Sequence, residues 1–175
     1  NTTASNNTAV GYKAGYSNTT GDGNTAFGYQ AFLDNTTGVN NTAIGYEANA
    51  NNTTGNYNVS LGLQSLLNNT TANNNTAVGY AALFSSTTSS ENVAIGASAL
   101  ADQTTGSNNV AVGRATLTNN TTAGSNTAVG HEAGFTNITS QYNAFFGRQA
   151  GYYATGGANT FIGQQAGVAV TSGGG

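Results

Sequence analysis

The side chains able to carry out chemistry are few in this sequence, and they do not converge. His131 is the single histidine, and the residue after it is Glu132. On an extended strand neighbours point to opposite faces, so these two are not expected to work as an acid–base pair. With one histidine and no cysteine, a tetrahedral site of nitrogen and sulfur ligands has nothing to be built from. Arg114, His131 and Arg148 follow one another at intervals of seventeen residues. They form either a small anion-binding stripe or ordinary variation of a surface position. Gly21-Asp22-Gly23 lacks the strand and helix that a dinucleotide site needs. Calcium-binding β-roll repeats need Asp at fixed places, where this chain has Asn and Thr. No catalytic residue, metal site or cofactor is therefore expected, and the chain does not read as an enzyme.

Two other sets of residues recur. Asn1, Asn18, Asn35, Asn52, Asn69 and Asn120 each open Asn-Thr-Thr, and Asn137 opens Asn-Ile-Thr. All match the acceptor pattern for N-linked glycans. The same tripeptides are good turn formers, because Asn and Thr side chains hydrogen-bond nearby backbone. Their Thr hydroxyls offer a second attachment chemistry. Tyr12, Tyr29, Tyr46 and Tyr80 form an aromatic ladder interrupted by Leu63. Such a ladder can take sugar rings on its faces or stack on itself across a sheet.

One repeat sets the spacing of all these residues. The glycines Gly11, Gly28, Gly45, Gly62, Gly79, Gly96, Gly113, Gly130, Gly147 and Gly163 are 17 residues apart eight times and then 16 apart. The unit reads N-T-T-G-x-x-N-T-A-V-G-Y-x-A-L-x-x, an array signature. It is too short for a helix pair, and Gly beside Asn and Thr disfavours helix. Within residues 7–12, Thr8, Val10 and Tyr12 face one way while Ala9 and Gly11 face the other. The unit is expected to be a strand, a short second strand with apolar pairs such as Leu66-Leu67, and an Asn-Thr-Thr-Gly turn. Where Gly opens that pair an aromatic follows, as in Gly15-Tyr16, Gly134-Phe135 and Gly151-Tyr152, which suggests one buried volume being held constant. The expected fold is all-β: a parallel β-solenoid or β-roll of ten 17-residue coils over residues 1–170, with residues 171–175 a Gly-rich tail or the start of a linker. Coils stacked about 4.8 Å apart make a rod of roughly 50 Å.

Composition narrows the class further. Charged residues are 5% of the chain, and the net charge is −3. Lys13, Arg114 and Arg148 are too scattered to attract nucleic acid, and no basic amphipathic stretch suits a membrane surface. There is no apolar run of about 18 residues, so no membrane-spanning helix is expected. Because the first residue is Asn, the chain is expected to be a mature product or a piece of a longer one.

The smallest residues line up as well. Ala9, Ala26, Ala43, Ala77, Ala94, Ala111 and Ala128 form one column, and Gly11, Gly28, Gly45, Gly79, Gly96, Gly113 and Gly130 form another. Such columns allow close approach of another backbone. A thin core without disulfides commonly needs oligomerisation, so these columns are expected at a chain-to-chain contact. Phe145 and Phe161, which replace Ala late in the array, are expected to plug its axis. The N-terminal end is expected to be covered by more repeats or by a stacked neighbour, and the C-terminal end to lead into another segment.

The stretch Glu91-Asn92-Val93-Ala94-Ile95-Gly96-Ala97-Ser98-Ala99 resembles the head repeat of trimeric autotransporter adhesins, and Asn109-Val110-Ala111-Val112-Gly113 matches it nearly as well. The Asn-Thr-Thr-Gly form is also similar to repeat regions of phage tail-fibre proteins. The resemblance implies a left-handed parallel β-roll, three chains around a common axis, and a structural or adhesive role in an extracellular, cell-surface or virion fibre. The implied partners are other copies of the chain, as a homotrimer or an end-to-end filament, with surface glycans or a host receptor as targets. An ice-binding β-solenoid is the alternative, and a carbohydrate-binding or carbohydrate-degrading solenoid comes third.

Overall fold

The computed structural model describes residues 3–170. Asn1 and the tail at residues 171–175 lie outside the described residues. Ten strands of three residues each form one parallel sheet in chain order: β1 (Thr8–Val10), β2 (Thr25–Phe27), β3 (Thr42–Ile44), β4 (Val59–Leu61), β5 (Thr76–Val78), β6 (Val93–Ile95), β7 (Val110–Val112), β8 (Thr127–Val129), β9 (Ala144–Phe146) and β10 (Thr160–Ile162). Thr8 pairs with Thr25, Ala9 with Ala26 and Val10 with Phe27. The same register persists to β9 and β10, where Phe145 pairs with Phe161 across the shorter last interval. The protein is an all-β parallel solenoid of 17-residue coils, and the described residues contain no helix. Counting from the Asn before each strand, coil 1 begins at Asn7 and coil 10 at Asn159.

Among the described residues the expected second strand is absent. Its place is taken by turns at which the backbone is left-handed, such as Gln64 (φ 54°) and Leu66 (φ 54°) in coil 4. A side chain in this region costs about 1–2 kcal/mol, and the stack offsets that cost through hydrogen bonds between coils. The amide of Phe32 donates to Ala48 O at 2.9 Å, that of Asp34 to Ala50 O at 2.8 Å, and that of Gln30 back to Tyr12 O at 2.8 Å. Backbone groups outside the strands thus pair with the coil above or below, as strand groups do.

The interior of each coil is narrow. Ala43, Ala77, Ala94, Ala111 and Ala128 are fully buried inside their own chain. A second small column, including Ala48, Ala82 and Ala99, faces them, with Phe32, Leu66, Leu83, Leu100 and Leu117 filling the remaining apolar space. This corrects the expected role of the Ala column: from Ala26 to Ala128 these methyl groups line the chain's own core and are closed to another chain.

The Gly column is corrected for a related reason. Gly79 has φ 129°, and a Cβ there would lie 2.7 Å from the carbonyl carbon of Gly96. Gly11, Gly28, Gly45, Gly96, Gly113 and Gly130 meet the next coil in the same way. Close backbone approach does occur, but between successive coils of one chain. Ala9 and Gly11 are exposed at the end of the stack.

Volume compensation also takes another path than Gly15-Tyr16 and its analogues suggested. Gly134 and Gly151 make room for Phe145, and Gly167 makes room for Phe161. The two coils with Phe at the inward strand position, 9 and 10, therefore have Gly where coils 4 to 7 have Leu. Phe145 is fully buried, and its ring stacks on that of Phe161 with centroids 5.8 Å apart. The two rings plug the interior of a single solenoid rather than an axis shared by chains.

Candidate functional site

The column of Asn residues that opens each strand is the first polar feature to account for. From Asn24 to Asn159 it is buried. The Oδ1 of Asn58 accepts the amide N–H of Asn75 at 3.0 Å, and its Nδ2 donates to Ala72 O at 2.8 Å. Asn75 repeats this toward Asn92 and Ser89 O. An unbroken run of Asn at one place in ten units was the available signal for this ladder. It was missed because Asn beside a turn reads first as turn chemistry.

The proposed glycan acceptors form a second internal ladder. Asn18, Asn35, Asn52, Asn69, Asn120 and Asn137 are buried. Asn35 Nδ2 donates to Asn18 Oδ1 at 2.7 Å and to Gly38 O at 3.1 Å, and Asn52 and Asn69 continue the chain of amides. N-linked attachment would place a sugar on a nitrogen that points into the coil and already donates hydrogen bonds. This coil geometry excludes N-glycans at these six positions. The ladder breaks at Ser86, whose hydroxyl contacts that of Ser89 at 2.6 Å, and at Gln103, which donates to Gly106 O.

The second Thr of each turn points outward. Thr20, Thr37, Thr54, Thr71, Thr88, Thr105, Thr122 and Thr139 are all exposed, one in each of eight successive turns. The first Thr is tied down instead: Thr36 Oγ1 donates to Thr53 O at 3.0 Å, and Thr53 Oγ1 to Thr70 O at 2.9 Å.

Of the Tyr ladder, the first three rings stack. Tyr12 and Tyr29 have centroids 5.3 Å apart, and Tyr29 and Tyr46 are 4.9 Å apart. The facing ring surfaces are occupied by each other, so this arrangement favours cross-coil stacking over sugar binding. Glu47 is the main cause raising the Tyr46 pKa above the ordinary tyrosine value, with burial a lesser cause. Leu63 separates Tyr80 from these rings.

In the polar stripe, His131 and Glu132 come together, contrary to the strand-based expectation. They follow β8, and Glu132 is left-handed at φ 57°. His131 Nε2 lies 3.5 Å from Glu132 Oε1, and Arg114 Nη1 donates to His131 Nε2 at 2.8 Å while lying 3.9 Å from Glu132. This surface cluster carries its own counter-charge, and exposed pairs of this kind contribute at most about 1 kcal/mol.

The outer face of the sheet forms a continuous surface along the described coils. Because Ala points inward, the apolar residue after it points out: Val10, Phe27, Ile44, Leu61, Val78, Ile95, Val112, Val129, Phe146 and Ile162. Phe27 is 54% exposed and Ile95 39%. A parallel outward column holds Thr8, Thr25, Thr42, Val59, Thr76, Val93, Val110, Thr127, Ala144 and Thr160. No strand position on this face carries a charge in any coil. The narrow coil explains it, since Ala fits inside and Val or Ile does not. Comparison with protein-family models, curated proteins and solved structures finds no match to this chain.

Proposed function

We propose that the chain is a structural and adhesive module of an extracellular fibre, and that its copies associate side by side through the outer sheet face. The supporting observation is the uncharged apolar column from Val10 to Ile162. With its Tyr and Val neighbours it leaves on the order of 1,000 Å² of apolar surface in water, against roughly 300–600 Å² for the largest patch of an ordinary monomer. Burying that area on each chain reaches the range of permanent homo-oligomers. The resemblance to adhesin heads implies three copies. In such an assembly the turns with their exposed Thr remain outside, where weak contacts repeated at each coil add up to avidity toward a glycan or receptor surface.

Ile95→Lys tests this reading. The side chain lies outside the coil, so the variant should keep its fold while a charge in the contact abolishes association. Light scattering should give a trimer for the wild type and a monomer for the variant. A monomeric, folded wild type would sink the proposal.

A second reading, an ice-binding solenoid, draws support from the exposed Thr column at one residue per coil. Against it, the adjacent Thr hydroxyls donate to backbone carbonyls, so the exposed ladder along the turns is a single residue wide. Thermal hysteresis of the wild type, lost in Thr54→Lys/Thr71→Lys, would favour this reading over the first.

A further inference from the structure

Coils 1, 2, 3 and 5 place Tyr after the motif glycine, and coil 4 places Leu63 there. The coils keep their register through this column. The amide of Gln64 donates to Tyr46 O at 2.9 Å, and that of Ala81 to Leu63 O at 3.0 Å. Tyr29 and Tyr46 stack at 4.9 Å, the spacing of parallel strands. Tyr80 stands two coils beyond Tyr46, hence about 10 Å from it, and among the described residues it joins no ring stack. Leu63 is shorter than Tyr and fills only the base of the gap between them. All three side chains are exposed, so the gap opens to solvent above an apolar floor.

Glu47 and Gln64 stand beside this gap, each one residue further along the chain. Gln64 Nε2 donates to Glu47 Oε2 at 2.9 Å. The charge of Glu47 is the main cause raising the Tyr46 pKa, which fits a carboxylate lying close to that ring. The same unit recurs in coils 8 and 9, where Gln149 Nε2 donates to Glu132 Oε2 at 2.9 Å. There the other carboxylate oxygen, Oε1, faces Arg114 at 3.9 Å and His131 at 3.5 Å. Glu47 keeps the carboxylate and the amide of that unit but lacks its cation, since no described Lys, Arg or His pairs with it. Residues 24–108 contain Asp34, Glu47, Glu91 and Asp102 and no Lys or Arg.

We propose that the gap over Leu63 is a guanidinium-binding site, filled by an arginine side chain of a basic protein partner that lies between Tyr46 and Tyr80 and donates to Glu47. A cation midway across a gap of about 10 Å is about 5 Å from each ring, inside the roughly 6 Å over which an aromatic face attracts it. A neutral sugar ring works by contact at about 4 Å, so one that touched Tyr46 would leave Tyr80 unused. Arginine suits the site better than lysine, because its planar fork stacks on a ring while donating to a carboxylate. Four acids without a cation favour a basic partner over a neutral or acidic one. The site lies within one chain, so it goes beyond the fibre reading and stands without it.

The probe is the peptide acetyl-Gly-Arg-Gly-amide, with its citrulline analogue as an equally planar neutral control. Followed by NMR on the 175-residue chain at low salt, the Arg peptide should shift the side-chain resonances of Tyr46, Leu63 and Tyr80 saturably. The citrulline peptide should not. Glu47→Gln should weaken binding roughly fivefold, the worth of one partly exposed charge pair. Leu63→Tyr completes the ladder with the residue that neighbouring coils carry, so it should fold, melt at a higher temperature and bind no peptide. Full binding by a wild type that proves monomeric would support the site and count against lateral association alone. The absence of a saturable shift, equal binding of the citrulline peptide or of glucose, undiminished binding by Leu63→Tyr, or shifts spread over all nine tyrosines would each overturn the proposal.

Discussion

A Cβ on Gly151 would lie 2.5 Å from Cε1 of Phe145, so the absence of a side chain at one position is what lets the other be buried. The two residues belong to one coil and face each other across its interior. Interior volume in this solenoid is distributed between a strand position and a turn position, and either can hold the larger residue.

This relationship predicts a rescue. Phe145→Ala leaves Ala128, Gly134 and Gly151 around an empty space and should cost about 3–5 kcal/mol. Adding Gly151→Leu restores the Ala and Leu pairing of the middle coils, at a left-handed position that Leu66 also tolerates. The double variant should regain more than half of the loss. Urea denaturation of both variants checks it, and a double variant no better than the single would contradict the compensation.

Asn75→Asp should give a pH-dependent fold. The Asn side chain accepts the Asn92 amide and donates to Ser89 O, and a carboxylate keeps only the first contact. Burial raises the carboxyl pKa of the folded variant above its unfolded value of about 3.9. Above that unfolded value the unfolded chain binds fewer protons than the folded one, so stability falls as pH rises through the folded pKa. Melting curves at pH 4 and pH 7 should show the variant close to wild type in acid and a few kcal/mol weaker at neutral pH.

Asn49 occupies the turn column between Phe32 and Leu66, fully buried, and neither its side-chain Nδ2 nor its Oδ1 has a hydrogen-bond partner. The apolar core divides there into a cluster around Phe32 and another beginning at Leu66. Asn49→Leu should stabilise the protein by about 1–3 kcal/mol by removing two unsatisfied groups. Hydrogen exchange should then show the N-terminal coils protected as well as the middle ones. Lower stability in the variant would mean that the amide does useful work.

Backbone sign separates two more positions. Gly79→Val combines φ 129° with contact against Gly96, so it should cost about 3 kcal/mol or more even in a single chain. Glu91 is exposed and left-handed at φ 61°. Glu91→Gly should therefore stabilise by about 0.5–1 kcal/mol despite the added freedom of the unfolded chain. Thermal melts of the two variants should move in opposite directions.

Period, parallel order and turn placement were legible in the sequence, because each is a property of one repeating unit. Ten glycines at fixed spacing require ten similar coils, and identical coils pair in register. The alternation in residues 7–12 also separated Thr8 and Val10 from Ala9. Which of those faces lies inside was decided only by the closed coil. A 17-residue loop that satisfies its backbone by stacking leaves room for methyl groups, amides and one Leu or Phe. The larger strand residues are forced outward and the acceptor asparagines inward. The same closure joined residues no local pattern connects: Phe145 with Gly134 one coil away, and His131 with both Glu132 and Arg114 through a left-handed turn. Local periodicity specifies what repeats, whereas volume inside a closed cross-section specifies which side chains it can contain.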